Sequence, residues 1–117
     1  MTKKTNKNEN FDVKKYTYRV EWSEEDGEFI GLCSEFPSLS WLDENQERAL
    51  KGIERLVAEA IDDMLANGEV IPAPFSLRQF SGKLVVRMDP DTHRRLSLEA
   101  QEKGVSLNHL INSKLAS

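Results

Sequence analysis

The last third of the chain holds the feature that most restricts its fold: one short strand pattern with nothing beside it to pair with. Lys83-Leu84-Val85-Val86-Arg87-Met88 alternates, with apolar Leu84, Val86 and Met88 on one parity and Lys83 and Arg87 on the other. Asp89-Pro90-Asp91 follows as an N-cap, a proline at the first helical position and an acid at the positive helix end. Leu96, Leu98 and Ala100 give that helix an apolar side, and Gly104 supplies a left-handed stop. Ser106 caps a second helix, with Leu107, Leu110, Ile111 and Leu115 inward. Strand, helix, turn and helix are complete in about 35 residues, below the size at which a lone chain supports a core. A second copy must supply what is missing.

Upstream, the pattern is that of a small sheet covered by one helix. Tyr16, Tyr18, Val20 and Trp22 alternate with Thr17, Arg19 and Glu21, which predicts a half-buried strand. The polar run Ser23 to Glu28, with its Asp-Gly pair, turns the chain into Phe29-Ile30-Gly31-Leu32-Cys33, completing a hairpin. Pro37 ends the second strand, and Leu39-Ser40-Trp41 is long enough for a third. Asp43 and Gln46 have capping-box spacing. Beyond them, Ala49, Leu50, Ile53, Leu56, Val57, Ala60, Ile61, Met64 and Leu65 recur at three- and four-residue steps, predicting an amphipathic helix over the sheet. Asn67-Gly68 stops it, Val70-Ile71 is a candidate closing strand, and Pro72-Ala73-Pro74 stiffens the exit. The expected organisation is a tail at 1–15, a β-β-β-α domain at 16–74, a linker at 75–82 and the strand-helix-helix unit at 83–117.

Charge divides along the same line. The net charge of −4 is the sum of nine Lys/Arg against sixteen Asp/Glu in residues 1–77 and seven against four in residues 78–117. An acidic module is thus joined to one that tolerates a polyanion. No apolar run approaches bilayer length, so no membrane association is expected. MTKKTNKNENFDVKK has lysines but no apolar stretch after them, unlike a secretory signal, and a cytoplasmic location is the expectation. Cys33 is the only cysteine, which excludes an internal disulfide, and its apolar setting makes it core filler.

The C-terminal order resembles the ribbon-helix-helix family. The resemblance implies that two strands pair antiparallel into a ribbon that enters the major groove, above a shared helical core. By position it puts Lys83, Val85 and Arg87 toward the bases and Leu84, Val86, Met88, Leu96, Leu110 and Ile111 in the dimer core. Arg87 and Lys83 suit guanine acceptors; Val85 replaces the polar residue usual at mid-stripe and can only touch a thymine methyl, which weakens sequence choice. The helix start at Ser106 and Leu107 would hold a backbone phosphate.

The whole chain from about Tyr16 looks like a HicB-family antitoxin. The residues are Tyr18-Arg19-Val20-Glu21-Trp22, the Glu25-Asp26-Gly27 turn, Gly31 to Leu39 with the long helix, Ser81 to Met88, and Gly104-Val105-Ser106-Leu107-Asn108. That resemblance implies an α+β protein: a partial ribonuclease H-like domain that binds and neutralises a small, basic, mRNA-cleaving HicA-type toxin, and a C-terminal domain that represses its own promoter. It implies operator DNA and a homodimer or homotetramer as partners, and no cofactor. A protein of a different class, a solitary HicB-like module that only binds protein or oligomerises, is the alternative.

Enzymatic readings are weaker. Glu21, Glu24, Glu25, Asp26, Glu28 and Glu35 cluster around the hairpin, but a metal-dependent nuclease needs convergent carboxylates, and these read as solvated turn and strand charges. Asp62 and Asp63 read as the wet face of the helix, and His93 and His109 lack partners for zinc. No catalytic or metal residues are therefore assigned. Trp22 and Trp41 are expected in the small core, with toxin contact as their other use.

Overall fold

The computed structural model describes residues 11–117, so the first ten residues of the expected tail lie outside the described part. The chain is α+β, with a three-stranded antiparallel sheet followed by helices, and it divides into two compact units, Met1–Phe80 and Ser81–Ser117.

In the first unit, strands β1 (Tyr18–Ser23), β2 (Glu28–Cys33) and β3 (Ser40–Asp43) are ordered β1-β2-β3 and precede helix α1 (Gln46–Ala66). The hairpin closes as expected, with Gly27 at φ 65° and its N–H donating to the Ser23 carbonyl at 2.8 Å. Only glycine adopts that left-handed conformation without strain. Register puts Val20 opposite Gly31, and Gly31 opposite Trp41. A Cβ at Gly31 would lie 2.5 Å from the Ala49 carbonyl oxygen, so the helix approaches the middle strand too closely for any side chain. Ile53, Val57 and Ile61 of α1 form the core with Tyr16, Cys33 and Phe36. The four-residue spacing of that row puts one face of α1 on the sheet.

Several boundaries differ from the sequence expectation. The α1 cap is Asn45, whose side chain accepts from Arg48 N at 3.0 Å; Asp43 instead accepts from Asn45 N and Arg48 Nε, so the capping box is not formed. Two residues closer to the helix, Asn45 reaches one of its orphan backbone donors. Val70-Ile71 forms no strand: Ile71 packs on the core while Val70 is 92% exposed. Tail residues Phe11 and Val13 also pack against the core, and a 3-10 turn at Val13–Lys15 is capped by Asp12. The segment expected as linker begins with a second 3-10 turn, Phe75–Leu77, bonded into the first unit; the break falls after Phe80. Apolar residues within polar stretches escaped a reading based on periodicity.

The second unit contains α2 (Pro90–Lys103) and α3 (Leu107–Ala116). Its stops and starts follow the sequence: Asp89 accepts from Thr92 N, Gly104 sits at φ 69°, and Ser106 accepts from His109 N. Glu99 ties the pair together, reaching Lys103 at 3.1 Å and Lys114 of α3 at 3.2 Å. Among the described residues, no helix is long and apolar enough to cross a membrane.

Candidate functional site

Within the second unit, Lys83–Met88 stands ahead of α2 with no hydrogen-bonded neighbour strand. A strand exists only through a ladder, and a single copy offers none. Both parities are uncovered: Leu84 is 81% exposed, Val86 61% and Met88 37%, with Val85 at 90% on the other side. Lys83 and Arg87 are exposed as well. In the helices, Leu110 and Ala100 are buried, Leu96 and Ile111 half-buried, and Leu98 and Leu115 open to solvent. The six residues expected in a shared core are thus brought to one small unit, yet only Leu110 of them is covered within it. At the start of α3 the Ser106 hydroxyl satisfies the His109 N–H, while the first-turn amides at Leu107 and Asn108 lack intrahelical acceptors. An anion fits such a helix start.

Within the first unit, the two tryptophans have different settings. Trp41 lies on α1, where a Cβ at Gly52 would fall 2.0 Å from its Cδ1, and the Arg55 guanidinium sits 5.2 Å from its ring centroid. Trp22 is 52% exposed, its ring edge-on to Phe29 at 5.1 Å and its indole N–H donated to Glu24. The expected burial therefore describes Trp41, half-buried against the core, and not Trp22, which lies beyond the reach of α1.

Glu35 is the polar residue that the sequence misplaced. Grouped with the solvated hairpin charges, it is in fact buried, with 7% of its surface exposed. Its carboxylate accepts from Thr17 N and Oγ1, both at 3.0 Å, from Phe75 N at 2.8 Å and from the Cys33 thiol at 3.4 Å. Burial alone would raise its pKa, but the Phe75 and Thr17 N–H bonds outweigh it and hold the carboxyl below the usual carboxylate range. The carboxylate thus joins the backbone before β1 to the exit segment. Tyr16 Oη donates to the Pro72 carbonyl at 2.7 Å, and Ser76 Oγ to that of Lys15 at 2.7 Å, closing the same seam. Burial pushes Tyr16 up to about 12 and Cys33 up to about 11, so the thiol is a poor nucleophile. Pro37, two residues after Glu35, was the one local sign that the chain turns inward here, and it carries no information about a distant acceptor.

The other hairpin carboxylates point to chemistry no more strongly. Among the described residues, no three His, Cys, Asp or Glu side chains are grouped as a metal site would need. Asp62, Asp63, His93 and His109 are exposed.

Comparison with known protein families gives a match on the C-terminal part. No curated protein and no solved structure matches the chain. The HicB family model matches residues 67–115, from the end of α1 through the exit segment and nearly all of the second unit. The sheet and all of α1 lie outside that match, although their motifs carried half of the expected resemblance. Residues 67–115 are therefore similar to the HicB family, over less than half of the 117-residue chain.

Proposed function

We propose that the chain is the antitoxin of a toxin-antitoxin pair, binding a small basic HicA-type toxin and repressing its own promoter as a ribbon-helix-helix oligomer. The observation that carries this reading is the coincidence of the HicB match with the uncovered segment Lys83–Met88 and its two capped helices. A six-residue segment with Leu84, Val86 and Met88 open to water is costly as a monomer, at roughly 1.5–3 kcal/mol for each large side chain left unburied. Antiparallel pairing with a second copy buries that row, supplies the missing ladder and turns Lys83, Val85 and Arg87 to the opposite face. Two such cationic edges fit the major groove, with the α3 starts at Ser106 and Leu107 clamping phosphates at either side.

An electrophoretic shift with the chain's own promoter DNA tests the proposal. The full chain should retard that DNA, and Arg87→Ala should cost about 1–3 kcal/mol of affinity. Equal retardation by a chain ending at Phe80 would remove the assignment. Co-expression with a HicA-type toxin that arrests growth should restore growth.

A further inference from the structure

The hairpin end of the first unit leaves a large aromatic side chain open beside acidic ones. Register aligns Trp22, Phe29 and Asp43 in one row across the three strands, on the side that α1 covers at Gly31. At this end the cover gives out: Trp22 is 52% exposed, and Leu50 on α1 is 38% exposed. The indole is nevertheless fixed, edge-on to Phe29 and tied through its N–H to Glu24. A fixed aromatic loses little freedom on docking, which is the property that makes tryptophan a frequent centre of protein interfaces.

The stretch of sequence that holds it carries charge of one sign. From Glu21 to Glu47 the sequence holds nine Asp/Glu and no Lys or Arg across 27 residues. Glu35 is internal, but Glu24, Glu25 and Asp26 in the turn and Glu44 and Glu47 beside α1 are exposed. Arg48 is engaged by Asp43 at 3.0 Å. Trp41 already has Arg55 over its ring; among the described residues, no such cation lies over Trp22. An exposed indole beside an acidic turn favours a Lys or Arg side chain stacked on its face. A second copy of this chain would bring an equally acidic tip and be repelled.

We infer that Trp22, edge-on to Phe29 and beside the acidic Glu24–Asp26 turn, is the surface on which a basic protein docks through a Lys or Arg placed over the indole. This rests on the antitoxin reading and locates the toxin contact at Trp22 and not at Trp41.

The test is titration calorimetry of the full chain with a small basic HicA-type toxin, in a catalytically inactive form, at two salt concentrations. Trp22→Ala should weaken binding by about 30-fold or more, Trp22→Phe less, and Glu25→Lys several-fold with a shallower salt dependence. Trp41→Phe should leave the affinity within about twofold, as a site remote from the contact does. If Trp22→Ala fails to fold, Glu25→Lys decides the matter, because it sits in a solvated turn. Tight binding that neither Trp22→Ala nor Glu25→Lys alters would overturn the surface and leave the antitoxin reading intact. Loss of self-association in Trp22→Ala, with toxin affinity unchanged, would also overturn it in favour of a second copy. No binding by the unaltered chain removes the antitoxin reading and the surface together.

Discussion

Glu35 shows how one buried carboxylate organises the first unit. It accepts two backbone N–H groups and a hydroxyl, so Glu35→Ala should cost roughly 3 kcal/mol, read as a lower denaturation midpoint, because the Thr17 and Phe75 donors lose their acceptor. Its pKa is lowered in the folded state, so its contribution is in place above the ordinary carboxylate range and is lost as pH falls through the depressed value. The tyrosines act at the other end of the scale. Burial raises Tyr16 from 10.0 to about 12, and Tyr18 further still, so the folded state holds protons that the unfolded chain releases. Stability should therefore fall as pH rises above about 10, and tyrosinate absorbance should appear late and together with unfolding. Absorbance rising at the ordinary tyrosine pKa with the fold intact would contradict the buried positions.

At the scale of elements, local chemistry was legible and distant partnership was not. Asp89, Gly104, Ser106 and the Gly27 turn were readable because caps and left-handed residues act over three or four positions. The Asn45 cap was missed because Asp43 offered an equally good oxygen two residues earlier; only the path of the chain chooses between them. Glu35 and Ile71 escaped for a different reason, since their partners lie far along the chain or in polar segments without periodicity. The α1–β3 contact was legible only as an amphipathic stripe, whereas its closeness at Gly52 needed the structure. Gly52→Ala should therefore lower stability by about 2 kcal/mol or more despite the better helix propensity of alanine, measured by thermal or denaturant unfolding. A neutral or stabilising effect would mean that Trp41 yields freely.

The molecule as a whole joins an acidic sheet-and-helix unit to a C-terminal unit whose apolar row has no cover within one chain. Of the candidate site, the sequence placed Lys83, Arg87 and Ser106 on exposed positions, but the role proposed for them needs a ribbon that no single chain forms. The same holds for the Trp22 surface, whose exposure follows from where α1 ends its cover. DNA affinity should fall by orders of magnitude over a modest rise in salt if several phosphates are neutralised together. The proposed DNA binding rests on self-association of Lys83–Met88, and mass by sedimentation equilibrium measures that most directly. The intact chain should have two or four times the 13.4 kDa mass of one copy, and Val86→Lys, which sets a charge in the shared row, should shift it toward the single mass. A single-copy mass for the unaltered chain at micromolar concentration would contradict the account.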